Sequence, residues 1–261
     1  MYTFILTTRG PFSLEASTRF LEGFTPAAFT GVAGQPLELA FPVEGTWQAA
    51  GVRVCQHECG VACEVMSPPA PGPDLLAAVR AQVARILSLD VDGSGFPAVG
   101  ERDPVVAGLQ RRYPGLRPVG FWSPYEAAAW AIIGRKPGWL RSVALAALEG
   151  RLDAARLRAL PRDQALAQLR QLPGIGDFSA ELVLLRGAGD PDHIPRHEPR
   201  LARAVALAYG LPEPPSGEQL LHISENWRPY RTWVTLLLRT QLEDQTGEIA
   251  DTPHTPGHRQ Q

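Results

Sequence analysis

The chain has 261 residues and a formal net charge of −2, which gives room for one or two domains with real cores and excludes a histone-like or polyanion-coating protein. No apolar run approaches the ~20 residues that a membrane span needs. The apolar stretch from Tyr2 to Thr8 is too short for a signal peptide and is interrupted by Arg9-Gly10-Pro11. Three cysteines in a chain of this size point to a reducing, cytoplasmic setting rather than a disulfide framework.

Residues 3–7, 37–43, 52–55 and 62–66 carry strand patterns, the last two joined by a short turn around Glu58 to Gly60. Residues 14–22 and 73–87 read as helices, the second with Leu75, Leu76, Val79, Val83, Ile86 and Leu87 at helical spacing. Together they predict a small antiparallel sheet with helices on one face, forming an amino-terminal α+β domain over residues 1–95. The proline-rich stretch from Ser67 to Pro73 is a loop inside it. Strand signals stop after Asp90-Val91-Asp92-Gly93-Ser94-Gly95. Residues 96–250 then read as an all-α domain, with helices over 103–112, 123–134, 138–150, 153–159, 162–171, 177–187, 198–209, 216–226 and 230–241. Residues 251–261 read as a flexible tail. Charge is unevenly placed: from Arg135 to Arg203 there are twelve Arg or Lys against eight Asp or Glu, a mild tilt toward a phosphate backbone.

The densest signal is Leu172-Pro173-Gly174-Ile175-Gly176-Asp177-Phe178-Ser179-Ala180-Glu181, which continues into Leu182-Val183-Leu184-Leu185-Arg186. Proline disfavours helical geometry in the residue before it, so the helix ahead of this stretch should stop near Leu172. Gly174 and Gly176 permit a turn that side chains would block and leave bare amides at the start of the next helix. Those amides, at the positive end of a helix dipole, suit a phosphate, and such a contact is blind to base sequence. Further on comes Asp190-Pro191-Asp192-His193-Ile194-Pro195-Arg196-His197-Glu198-Pro199-Arg200. Glu198 sits just ahead of a helix with Pro199 at its first position. Two roles are open to it: a carboxylate favouring the helix dipole, or a pocket group that stabilises positive charge on a sugar during glycosidic cleavage.

The hairpin, its spacing to Glu198, and Trp227-Arg228-Pro229-Tyr230-Arg231-Thr232-Trp233 together resemble the helix-hairpin-helix DNA glycosylases, in particular the 3-methyladenine DNA glycosylase II branch, which excises alkylated bases. The segment from Arg85 to Ile133, with Tyr113-Pro114-Gly115-Leu116-Arg117 and Pro124-Tyr125-Glu126-Ala127, is similar to that branch as well. So is the amino-terminal sheet region in order and length. The resemblance implies an α+β fold, with the sheet domain followed by a helical glycosylase-type domain. It also implies a cytoplasmic monomer, associated with the nucleoid when bound, whose partner is double-stranded DNA carrying alkylated bases.

Carried over residue by residue, the resemblance makes amides near Gly174, Gly176 and Phe178, with Ser179 and Arg200, the DNA contacts. Glu198 becomes the catalytic carboxylate. Trp122, Tyr125, Phe178 and Arg239 become the base pocket. Backbone carbonyls of Arg170, Leu172 and Ile175 would hold a monovalent cation, and no other cofactor is implied. Phe178 occupies the position where lyase-competent relatives place a lysine, and Lys136 is the chain's single lysine, so hydrolysis without strand cleavage is expected. No cysteine quartet for an iron–sulfur cluster lies near the carboxy terminus.

Three positions depart from the family pattern. Its catalytic aspartate is Glu198 here, and a displacement of ~1 Å in a catalytic group can cost ~100-fold. The aromatic used against the flipped base is Arg239, whose plane can stack on a base but sits badly with a cationic one. A long helical insertion carrying the wedge side chain is absent after Gly134, where the chain passes to Arg135-Lys136-Pro137-Gly138-Trp139, with Arg135 or Lys136 open to touch DNA. These departures keep a second reading open, a DNA-binding relative that retains the hairpin and has little or no turnover.

Other candidates have blander readings. Cys55, His57, Cys59 and Cys63 offer four soft ligands in nine residues, with Cys55 expected opposite Cys63, yet the spacing suits ordinary hairpin residues better than zinc. Trp130, Trp139 and Trp233 read as core. His193 and His197 either assist with protons or are solvated loop residues. Arg186 and Arg203 read as surface or carboxylate partners.

Overall fold

The computed structural model describes residues 2–22, 34–68, 70–134 and 136–247; the expected tail at 251–261 and Arg135 lie outside the described residues. Four strands, β1 (Tyr2–Thr7), β2 (Leu37–Pro42), β3 (Ala49–His57) and β4 (Gly60–Ser67), form one antiparallel sheet in the order β1-β4-β3-β2. The period-2 pattern of β2 sends Leu37, Leu39 and Phe41 inward and Glu38 outward. On the outer face Arg53 spans its neighbours, pairing with Glu38 at 3.0 Å and Glu64 at 3.4 Å. The inner face is covered by α1 (Leu14–Glu22) and α2 (Pro73–Ile86). The expected sheet with helices on one face is the observed one.

Helices follow from residue 97 onward: α3 (Pro97–Arg102), α4 (Pro104–Arg112), α5 (Pro124–Ile132), α6 (Pro137–Leu148), α7 (Ala154–Ala159), α8 (Arg162–Arg170), α9 (Asp177–Leu182), α10 (Pro199–Tyr209), α11 (Gly217–Ser224) and α12 (Arg231–Thr246). They surround two further apolar cores, one under α5 to α9 and one under α3, α4, α10 and α12. Two expectations need correction. Asp103 is not the first residue of a helix; its carboxylate accepts from the Val105 and Val106 amides and separates two short helices, each opened by a proline. The last helix runs through Glu243 and Asp244 rather than ending before them.

The Trp227-to-Trp233 motif is scaffold. Trp227 is fully buried, and its indole N–H donates to Tyr209 Oη at 2.9 Å and Asp103 Oδ2 at 3.2 Å. Tyr230 Oη donates to the Asp92 carbonyl at 2.7 Å. Arg231 grips Asp192 with Nε at 2.9 Å and Nη2 at 3.1 Å, a two-pronged pair that fixes the loop ahead of Glu198 to the start of α12. Arg117, wholly buried, donates to the carbonyls of Pro11, Ser88, Val91 and Arg9 and lies 4.9 Å from the Trp233 ring centre. Burial holds its guanidinium down to about 10.

Candidate DNA-contact hairpin and base pocket

The hairpin between α8 and α9 forms as the sequence directs. Leu172 N donates to the Leu169 carbonyl and Ile175 N to the Leu172 carbonyl, which closes the turn. Gly174 has φ +84°, and a Cβ there would overlap the Trp139 ring, so backbone and packing both demand glycine. Gly176 differs from the expectation. Its φ of −90° suits any residue and open space surrounds it, so the fold itself does not require glycine there. What its bareness leaves is access to the first turn of α9, where the amides of Asp177, Phe178 and Ser179 have no intrahelical acceptor. Helical backbone continues from α9 through a π-turn at Val183–Gly187. Asp177, on that first turn, is paired with Arg170 at 2.7 Å, which offsets its negative charge beside the amides. Arg170 is the last residue of α8, and the Leu172 carbonyl, expected to face a cation, accepts the Ile175 amide within the turn.

Phe178 links the hairpin to a cavity of about 630 Å³. Its amide is in the exposed first turn, while its ring, 42% exposed, lines the cavity. Glu198 enters from the start of α10 with Arg200 beside it. One face of α12 supplies Thr232, Thr235, Leu236, Arg239, Thr240 and Glu243 at helical spacing. The Glu198 side chain is only 10% exposed, and Arg239 Nη1 donates to its Oε2 at 3.1 Å. Arg186, on the π-turn, also lines the cavity; it donates to the Val119 carbonyl and lies 5.1 Å over the Phe20 ring. Burial, together with the neighbouring Arg239, pulls its guanidinium down to about 9.

Glu181 braces this arrangement from α9. Its carboxylate accepts from the Arg196 and His197 amides, each at 3.2 Å, and lies 3.2 Å from His197 Nδ1. Burial pushes its carboxyl up, but these hydrogen bonds, with His193 and His197, outweigh that and hold it below the ordinary range. Glu181 therefore fixes the two residues ahead of Glu198. Sequence reasoning missed this role, although the acid's place one turn into the hairpin helix was a usable signal.

No protein-family model matches the chain. Over 80 residues it is 41% identical to the probable bifunctional transcriptional activator/DNA repair enzyme AlkA of Mycobacterium tuberculosis, a match that covers 31% of this chain and 16% of that protein. It is 27% identical over 95 residues to the putative DNA-3-methyladenine glycosylase YfjP of Bacillus subtilis, covering 36% of this chain and 33% of that one. The chain thus matches only a third or less of the length of these curated relatives. Among solved structures, the 3-methyladenine DNA glycosylase of Archaeoglobus fulgidus superposes with a TM-score of 0.69 at 17% identity, covering 95% of this chain and 99% of that one. In fold and sequence the chain resembles the helix-hairpin-helix DNA glycosylase superfamily.

Within that glycosylase fold, several expected positions move. Trp122 and Tyr125 do not line the cavity. They flank the start of α5, where Ser123 accepts from the Glu126 amide and the Trp122 amide donates to Glu126 Oε2 at 2.6 Å. That cap turns Trp122 onto the sheet core, and Tyr125 packs edge-on against Trp47 with ring centres 5.7 Å apart. Trp130 moves the other way: it is 41% exposed and walls the cavity, while Trp233 is core as expected. A four-residue link joins α5 to α6, and Ile133 at its start is 61% exposed. His193 is buried rather than solvated, its backbone held by Thr232 Oγ1, and neither it nor His197 lines the cavity.

The cysteine cluster separates. The β3–β4 register sets Cys55 against Ala62 and Val54 against Cys63, so Cys55 and Cys63 point to opposite faces. Cys63 is buried in the sheet core, and burial pushes its thiol up to about 12. Among the described residues no group of three or more His, Cys, Asp or Glu is placed to hold a metal ion. No helix among them is long and apolar enough to cross a membrane.

Proposed function

We propose that the chain is a monofunctional DNA glycosylase that removes alkylated purines, of the 3-methyladenine type, in base excision repair. The observation that carries this reading is the convergence of Glu198 and Phe178 on one cavity, which joins a buried carboxylate to the start of the hairpin helix. Amides near Gly174, Gly176 and Phe178, with Ser179, bind a backbone phosphate, and the Arg170, Leu172 and Ile175 carbonyls would hold any monovalent cation, which would supply further positive charge there. The damaged nucleotide turns out of the duplex into the cavity between the Trp130 and Phe178 rings. Glu198 stabilises the oxocarbenium that develops on the sugar and orients the attacking water. The curated relatives' names, a DNA repair enzyme and a DNA-3-methyladenine glycosylase, support the same chemistry.

The test is release of 3-methyladenine from methylated duplex DNA by the protein and by Glu198→Gln. Release by the first and its loss in the second is the expected result; no release by either overturns the reading. One observation favours a DNA-binding protein without turnover: the carboxylate is engaged by Arg239. In that case neither protein releases the base, while Gly174 and Gly176 substitutions still weaken duplex binding.

A further inference from the structure

The charges around Glu198 do not suit a cationic base. Of the four acids on the cavity, Glu198 is paired with Arg239, Glu181 is committed to His197 and two amides, Asp244 accepts from Tyr113 Oη at 2.6 Å and pairs with Arg112, and Glu243 is not without a partner. Against them stand Arg186, Arg200 and Arg239, while Arg19 is paired with Glu15 on its own helix. An unpaired carboxylate would welcome a positively charged base; a carboxylate already neutralised by one guanidinium, with a second behind it, does not. One further polar group of the wall lacks a protein partner, although its oxygen is not itself open to the cavity. Thr235 is 6% exposed on the cavity wall, and no described protein group hydrogen-bonds its Oγ1. Trp130 and Phe178 offer aromatic faces, each about two-fifths exposed.

From this cavity we infer that its preferred substrate is an uncharged damaged base with hydrogen-bonding atoms on its edge, such as an etheno-annulated or deaminated purine, over a cationic N-alkylated one. The inference rests on the glycosylase reading and moves its preferred base away from the cationic 3-methyladenine type. The reaction's charge balance gives the reason. When the bond from C1′ to a neutral base breaks, the electron pair leaves with the base nitrogen, so negative charge grows on the base and positive charge on the sugar. Glu198 faces the positive partner and Arg239 the negative one. The ion pair is thus matched at both ends to the transition state. Water then adds to C1′, and its proton ends on the departed base. A cationic base leaves as a neutral molecule and never develops the charge that Arg239 would stabilise. One Arg239 N–H serves Glu198, and a guanidinium has four more to offer a ring nitrogen or carbonyl.

The experiment compares single-turnover excision from duplexes carrying 1,N6-ethenoadenine, hypoxanthine or 7-methylguanine by the full chain, Arg239→Gln and Arg239→Lys. The unaltered chain should release at least one neutral base roughly tenfold or more faster than 7-methylguanine, a ratio in the range that pocket contacts set. Arg239→Gln should bring that ratio down about tenfold, and Arg239→Lys, which keeps the charge, should retain most of it. Both rates come from one preparation, so partial unfolding of a variant does not move the ratio. Faster release of 7-methylguanine by the unaltered chain, or a ratio indifferent to Arg239→Gln, overturns this inference and leaves the glycosylase reading standing. Release of none of the three bases, nor of 3-methyladenine from methylated DNA, removes both.

Discussion

Two Glu–Arg pairs in different parts of the molecule have the same chemistry and different surroundings. Glu44 and Arg85 meet where the sheet and α2 abut the helices, with side chains 15% and 7% exposed. Arg85 also donates to the carbonyls of Gly187, Trp122 and Phe121, and Glu44 accepts from the Ala154 amide. Burial works against both charges, raising the Glu44 carboxyl and lowering the Arg85 guanidinium. Backbone groups from several elements absorb this pair's hydrogen-bonding capacity. Glu198 and Arg239, at 3.1 Å, instead wall a cavity together with two partly exposed aromatic rings. What the remaining donors and acceptors face distinguishes a structural brace from a candidate reactive site.

Substitutions at the two pairs should therefore separate activity from stability. Glu198→Gln should lower base release by about 10²-fold or more, the scale of a lost acid–base or charge-stabilising group, while leaving the thermal midpoint nearly unchanged. Single-turnover kinetics beside a thermal melt measures both; retention of full activity sinks the assignment. Arg85→Met should do the reverse. Stranding a buried carboxylate costs about 3–5 kcal/mol, which for a chain of this size lowers the midpoint by on the order of 10 °C. An Arg85→Met protein that melts with the unaltered chain would remove the distinction.

The fold was readable from periodicity because both its sheet and its helices bury one face. β2 alternates and α2 repeats every three to four residues, and the structure follows both patterns. The hairpin was readable because proline and a left-handed glycine leave few alternatives at Leu172 to Gly174. The cavity was only half readable. Glu198, Phe178 and Arg239 were found through motif and resemblance, but Trp130, Thr235, Arg186 and Glu181 join them through packing between α5, α9, the π-turn and α12. No local spacing encodes that. Trp122 and Tyr125 misled because a residue beside a helix cap can turn to either side, and Glu126 decides it by capping Trp122.

The hairpin's two glycines offer a smaller separation of the same kind. Gly174→Ala combines a positive φ with overlap of Trp139, and should cost about 1–3 kcal/mol of stability. Gly176→Ala meets open space at an ordinary φ, so its effect on stability should stay within about 1 kcal/mol. If a phosphate approaches the bare amides there, Gly176→Ala should still weaken duplex binding, and equally for damaged and undamaged DNA. Fluorescence anisotropy with both duplexes decides this: unchanged affinity removes the phosphate from that turn, and a loss confined to damaged DNA assigns Gly176 to base recognition instead.

The smallest expected effect is in the pH dependence of Glu181 and Glu44, both referred to an ordinary carboxyl value of 4.5. Glu181 is held below that value in the fold, so the unfolded chain binds its proton more readily. Its contribution to stability is present above 4.5 and is lost as pH falls through the lower folded value. Glu44 is held above 4.5, so its contribution is complete below 4.5 and declines as pH rises through the higher folded value. Thermal melts from pH 3 to 6 should therefore show a shallower acid-side loss in Glu181→Gln and a shallower decline above pH 4.5 in Glu44→Gln. Opposite slopes would contradict the assignment of hydrogen bonding to one carboxylate and burial to the other. Glu181 has a second readout, because its carboxylate takes the amides of the two residues before Glu198. A glutamine has one oxygen where the carboxylate has two, so one of those amides loses its acceptor. Base release by Glu181→Gln should fall further than the folded fraction does, whereas Glu44→Gln should lose activity only in step with folding.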